Sequence, residues 1–495
     1  MTRHSEHLVL IHGWSDDSRS FRKLAMHLSA ALDRDFTTID LADWVSLDDD
    51  VTYDDLADGL EAAWSEFGLP KRGRKTDVVL HSTGALVVRE WLLKHCGSAA
   101  SPPIKRLLML APANFGSPLA HHGRSFIGRA RLGFKTLLGQ KSGELDRLFD
   151  SGAELLHGLE LASPYTWDLA QRDRFGDGAK LFRKNRILTT VLVGNEGDSF
   201  VVAEFDGSDG VVRTSTANMN CAYAAVDFEF EPHARRRRRS LRLKRAEGAA
   251  FRLVNGFTHS DIVLNQSPLR TEGKGVGKKE ARDSETGALE LMKAALTVED
   301  DQFDAWIEAC EADNRRLREA LQTVNDDEIN AHTNLVVRVR NQYGHPVEDF
   351  VVEIYCDDDF DDDSGELTRA DKRKSITRDI QRYVIDDVHT HRREPSMRCF
   401  HIDLDAFVKR VLDKRPDMEG LSISVTAKPV LADGTMATRH SAGYRTIDDG
   451  EIGHVFISRE ELADVFRPHQ TLMLDFTIQR LQSRDIVRIN SATAN

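Results

Sequence analysis

Alternating apolar runs restrict this chain more than any other feature of its first two hundred residues. HLVLIHG (7–13), DFTTIDL (35–41), TDVVLH (76–81), IKRLLMLAPA (104–113) and RILTTVLVG (186–194) are short and rich in Val, Ile and Leu, as buried strands are. SFRKLAMHLSAAL (20–32), TYDDLADGLEAAWSEF (52–67) and ALVVREWLLKHC (85–96) repeat apolar residues at helical spacing. Strands joined through helices of ten or more residues pair in parallel by right-handed crossovers. The expectation is an α/β fold with a doubly wound, mostly parallel sheet.

A length of 495 residues leaves room for two or three domains. A hydrophobic fraction of 40% and a charged fraction of 30% describe a soluble globular chain without a membrane-spanning run. The start, MTRHSEHLVLIHG, enters a strand at once and has no cleavable leader, so a cytoplasmic protein is expected, with signal-independent export left open. Cys96, Cys221, Cys310, Cys356 and Cys399 are scattered without metal-ligand spacing and read as reduced thiols. A net charge of −13 argues against nucleic acid as a general partner.

The strands of IKRLLMLAPA and RILTTVLVG are too far apart for a plain crossover. Residues 115–185 form an insert with helical spacing, read as a lid over a site or as a helical elaboration. In 227–254, the acidic FEFE and the basic SLRLK alternate, so an acidic strand paired with a basic one is expected. GALELMKAAL (287–296) closes the first domain, 1–297, and a helical linker, 298–330, follows. After His332 the helical rhythm stops. TNLVVRVRNQYG, DFVVEIYC, RCFHIDL, GLSISVTAKPVL and TLMLDFTIQRL alternate like antiparallel strands, with EELADVF as a short helix, so 331–495 is expected to be a β-sandwich recognition domain. The acidic stretch CDDDFDDDSGE (356–366) reads as a flexible loop rather than a calcium site.

Between the third strand and its helix stand only His81, Ser82, Thr83 and Gly84. So tight a turn lifts its residues over the end of the sheet, with the partial positive charge of a helix start beneath them. That is the geometry of a nucleophile elbow, G-x-S-x-G, here with Leu80 at the first glycine position. A serine nucleophile needs a base, an orienting acid and an oxyanion hole. Asp198, Asp206 and Asp209 are all available after the fifth strand, and only His233 and His259 lie between them and residue 330. His233 sits among arginines, which disfavour the imidazolium a base must become.

LHSTGALVVREWL and APANFGSPLA, together with the loops around them, resemble the α/β-hydrolase lipases, especially the bacterial lipases and PGAP1-like deacylases. The resemblance covers 7–120 and 186–297. SDGVVRTSTAN is similar to the segment bearing the lipase acid, which implies Asp209, with Asp198 as the alternative. NGFTHSDIVLN is similar to the segment bearing the lipase histidine, which implies His259. LVLIHGWSDDSRSF matches the lipase H-G-x loop. That match implies backbone donors at Trp14 and Thr83, with His12, Gly13 and Gly84 shaping loop and elbow.

The implied chemistry is hydrolysis of carboxylic esters, most naturally lipid esters, with no metal or cofactor. An amidase or peptidase on the same residues, and a catalytically inactive binding protein of the same fold, are the alternatives. The run Arg235, Arg236, Arg237, Arg238 and Arg239 would attract an anionic membrane surface or lie solvated beside acidic neighbours. The C-terminal domain is expected to meet a membrane or a protein partner.

Overall fold

Burial on both faces is what a central parallel strand requires, and the apolar runs supply it. The computed structural model describes residues 7–12, 18–41, 50–97, 101–120, 152–197, 207–229, 238–264, 283–322, 331–359, 375–427 and 449–480. The five expected strands are present as β1 (His7–His12), β2 (Phe36–Asp40), β3 (Thr76–His81), β4 (Ile104–Leu110) and β5 (Leu188–Gly194). Then come three strands of other sheets, β6 (Cys221–Phe228), β7 (Arg238–Ser240) and β8 (Lys244–Ala246). A sixth strand of the first sheet follows, β9 (Ala249–Val254). The order is β2-β1-β3-β4-β5-β9 and every pairing is parallel. All residues of β3, β4 and β5 are buried. β9 went unforeseen because the charged run before it dominates the local pattern.

Helices α1 (Ser18–Leu32), α2 (Tyr53–Glu66) and α3 (Gly84–Trp91) match the expected amphipathic stretches. Trp64 of α2 and Trp91 of α3 pack with ring centroids 4.6 Å apart, and Trp91 Nε1 donates to Glu61 at 2.9 Å. Such an aromatic pair is worth about 0.5–1.5 kcal/mol beyond the area it buries. The described part of the insert, up to Phe115–Ala120 and from Gly152 onward, holds α4 (Ala153–Leu159) and α5 (Pro164–Asp173). Tyr165 of α5 stacks on Tyr53 of α2 at 4.6 Å. The span that carried most of the lid expectation, 121–151, lies outside the described residues.

After β9 come α6 (Glu285–Thr297) and α7 (Phe303–Gln322). α7 is not a free connector. Its Trp306 donates to Thr190 Oγ1 of β5 at 3.0 Å. Asn314 accepts from Leu253 N (2.9 Å) and donates to Phe251 O (2.8 Å), both in β9.

The C-terminal strands are β10 (His332–Asn341), β11 (Phe350–Tyr355), β12 (Ile385–Thr390), β13 (Met397–Asp403), β14 (Gly420–Ala427), β15 (His454–Ser458) and β16 (Thr471–Ile478). They form two sheets, β12-β13-β10-β16-β6-β8 and β11-β14-β15-β7. The pairs β12–β13, β11–β14 and β14–β15 are antiparallel. The basic run is split: Arg238–Ser240 runs parallel to His454–Phe456 of β15, Leu241–Leu243 is in no strand, and β8 stands beside β6. EELADVF supplies most of a short helix, Arg459–Val465, with Phe466 just past its end.

The chain divides into two compact units that are not consecutive stretches of sequence. The first contains Met1–Cys221, Arg245–His332 and the four residues Pro468–Thr471. The second contains Ala222–Lys244, Thr333–Arg467 and Leu472–Asn495. Among the described residues, no helix is long and apolar enough to cross a membrane.

Candidate active site

The turn from β3 into α3 puts Ser82 in a backbone conformation that serine rarely adopts, with φ +53°. For a residue with a Cβ this costs roughly 1–2 kcal/mol, and strain of that kind collects at functional sites. β4 holds the turn in place. Ser82 N donates to Leu110 O at 3.0 Å, and Ser82 O accepts from Ala113 N at 3.4 Å and from Ala85 N at 3.2 Å. Thr83 and Gly84 open α3, both buried. Leu80, at the position where the elbow pattern has glycine, is itself fully buried core.

Asp209 lies in the loop after β5. Asp-Gly-Val-Val is a turn-forming sequence in which the carboxylate accepts from the next amides along the chain. Oδ1 takes Val211 N (3.0 Å) and Val212 N (2.8 Å), while Gly210 supplies the positive φ, +92°. The other oxygen, Oδ2, is therefore left to face His259 Nδ1 at 2.9 Å. Asp209 is completely buried.

His259 sits in the turn after β9, just before the 3-10 turn Asp261–Val263. Its N–H donates to Asp209 O at 2.8 Å, so backbone and side chain face the acid together. Nε2 stands 3.2 Å from Ser82 Oγ. Because an ionised carboxylate only accepts, Nδ1 carries the proton and Nε2 is the acceptor for the serine hydroxyl. His81 backs this imidazole, with ring centroids 4.6 Å apart and its own Nε2 3.2 Å from His259 O.

Ser82, Asp209 and His259, chosen from sequence, are thus brought together. His12 ends β1. Gly13, Trp14, Asp198 and Asp206 lie outside the described residues, as do His233 and Arg235–Arg237. Arg238 is ion-paired to Glu419 (2.9 Å) and Asp357 (3.1 Å) and lies 4.1 Å from the Phe456 ring centroid. Arg239 covers the Phe228 ring at 5.1 Å and donates to Ile452 O. In the acidic stretch, Asp357 pairs with Arg238, Asp358 with Arg415 at 3.3 Å, and Asp359 accepts from Thr377 N at 2.7 Å. Residues 360–366 lie outside the described residues.

Three residues that support the acid went unassigned in the sequence. Ser117, fully buried, donates from Oγ to Val211 O at 2.6 Å. Asn114 Nδ2 donates to Ala217 O at 2.7 Å, and Phe115 N to Thr216 O at 2.9 Å. Arg89 of α3 holds the same strand-end loop from behind. It donates to Asn114 O at 2.8 Å and grips Asp173 with both ends of its guanidinium, at 2.7 and 3.0 Å, with neither side chain exposed. APANFGSPLA stood out as a lipase-like segment, but nothing in its composition says that it clasps another loop.

Residues 8–242 match the Alpha/beta hydrolase family. The chain carries the α/β-hydrolase fold. The phospholipase PlaB from Legionella pneumophila superposes with a TM-score of 0.72 at 20% identity, covering 99% of this chain and 97% of that one. PlaB in complex with thio-NAD gives a TM-score of 0.69 at 20% identity with the same coverage. No curated protein matches by sequence. The likeness in structure extends past the hydrolase sheet to the C-terminal strands.

Proposed function

We propose that this α/β-hydrolase is a serine esterase that cleaves lipid carboxylic esters through an acyl-enzyme on Ser82. The observation that carries the proposal is the relay from Ser82 Oγ to His259 Nε2 (3.2 Å) and from His259 Nδ1 to Asp209 Oδ2 (2.9 Å). It stands over a turn with the strained serine of a nucleophile elbow. His259 takes the hydroxyl proton as Ser82 Oγ attacks the ester carbonyl. Asp209 keeps Nδ1 protonated and stabilises the imidazolium. The oxyanion is met by N–H groups of Thr83, at the start of α3, and of Trp14. Collapse of the tetrahedral intermediate returns the proton from His259 to the leaving alcohol. A water, deprotonated by the same imidazole, then releases the carboxylic acid.

The lipid assignment rests on likeness to a protein named a phospholipase, with nearly the whole of both chains aligned. Fluorophosphonate labelling of the parent and of Ser82→Ala, combined with hydrolysis of phospholipid vesicles and of matched ester and amide substrates, tests the proposal. Labelling confined to the parent, with ester turnover far above amide turnover, is expected. Comparable amide turnover would make the chain an amidase, and an unlabelled parent would make it a binding protein of hydrolase fold.

A further inference from the structure

The loop that carries Asp209 is held at both ends by residues from much later in the chain. Within the loop, Asp209 N donates to Val212 O (3.1 Å) and Thr214 N to Gly207 O (2.9 Å), so Thr214 and Gly207 close the turn around the carboxylate. At the closing end, Thr214 Oγ1 is 2.9 Å from His469 Nδ1, and Ser215 O accepts from Thr471 Oγ1 at 3.1 Å. At the opening end, Gly207 lies against His332 so closely that a Cβ there would stand 2.5 Å from its Nδ1. The two remote residues are joined to each other, since His469 N donates to His332 O at 2.8 Å.

His469 adopts φ +55°, and its ring stacks at 5.8 Å on Phe251, in the strand that leads to His259. One imidazole therefore touches both the acid loop and the strand that delivers the base. Pro468–Thr471, although bordered on both sides by residues of the second unit, belongs to the first.

We infer that His469 and Thr471 are positioning residues for Asp209, so that a segment near the C-terminus is part of the hydrolytic machinery rather than an accessory to it. The inference rests on the proposed role of Asp209. It also alters the expectation that 331–495 serves recognition alone, because His332, His469 and Thr471 of that span brace the site.

The test uses the full-length protein and p-nitrophenyl butyrate, a short ester that needs no interface. His469→Gly removes the ring yet tolerates the positive φ. His469→Asn also tolerates it and places a hydrogen-bonding atom where Nδ1 was. Thr471→Val deletes only the hydroxyl. Misplacing a catalytic group by about 1 Å can cost roughly a hundredfold, and a smaller shift costs less. His469→Gly is expected to lower kcat about tenfold with KM unchanged, Thr471→Val to lower it severalfold, and His469→Asn to recover most of the loss. Amide exchange at Val211 and Val212, whose N–H groups hold Asp209, should quicken in His469→Gly.

Unchanged kcat in both His469→Gly and Thr471→Val would overturn the inference, as would a loss of kcat that Asn fails to recover. If His469→Gly does not fold, Thr471→Val decides on kcat alone. If the parent neither hydrolyses the ester nor takes fluorophosphonate, the proposed function falls. The brace is then judged on amide exchange: quickened exchange supports it and unchanged exchange overturns it.

Discussion

The nucleophile turn and the acid loop reach the same site by opposite means. The turn is a product of its own neighbourhood: β3, two residues and α3, fastened to the end of β4. The acid loop makes its inner bonds from Gly207 to Thr214, but its outer ones come from Ser117, Asn114, His469 and Thr471, with His332 packed against Gly207. A local device can be recognised from a short stretch of sequence. A distributed one can be recognised only at its centre, because its supports are strangers to one another along the chain.

The largest expected effects fall on the relay itself. Ser82→Ala and His259→Ala should each lower kcat about a millionfold, as in other cooperating triads. Activity within a hundredfold of the parent, with folding unchanged by circular dichroism, would remove either residue from the site. Asp209→Asn should cost roughly ten-thousand-fold. Two amides hold the Oδ1 position, so an asparagine would keep its carbonyl there and turn its NH2 toward His259 Nδ1. That orientation imposes the wrong tautomer. Near-parental activity in this variant would send the search for the acid back to Asp198.

Smaller effects separate the two regions more sharply. Leu80→Gly writes the usual glycine into the elbow but empties a fully buried position in β3. A loss of about 3–5 kcal/mol in denaturant unfolding is expected, with kcat of the folded enzyme kept. A collapse of kcat at full folding would mean that the turn depends on Leu80 itself. Ser117→Ala, in contrast, should cost only about 1 kcal/mol of stability and about tenfold in kcat, by freeing Val211 O and loosening the amides that hold Asp209. Unchanged kcat would make the acid loop as self-sufficient as the turn and dissolve the contrast.

This contrast accounts for what was legible in the sequence. Five strands of the parallel sheet and its helices announced themselves: the inner strands are buried on both faces and carry apolar runs, and the edge strand β2, largely unburied, was given by the strand–helix alternation. The pairing of Asp209 with His259 came from local motifs, and the structure sets the two side chains 2.9 Å apart. β9 was hidden beside a run of charge, and β12 and β15 by their brevity and mixed polarity. The partition of β6 and β7 between two sheets was beyond local reading, since alternation predicts a strand without naming its neighbour. Ser117 and Thr471 were silent for a related reason. A hydrogen bond to a distant carbonyl leaves no periodicity behind.

Pro468–Thr471 has a consequence for the order of events during synthesis. The ribosome delivers the acid loop long before the residues that brace it, with roughly 250 residues of chain between them. At about 5–20 residues per second, that interval lasts roughly ten to fifty seconds. During it the nascent chain holds serine, acid and base but lacks the clamp at His469 and Thr471. Completion of the clamp coincides with the emergence of β16, the last strand among the described residues. On the proposed roles, the site therefore comes into working order only after His469 and Thr471 have emerged, and a ribosome stalled before them leaves an unbraced acid loop rather than a premature active site.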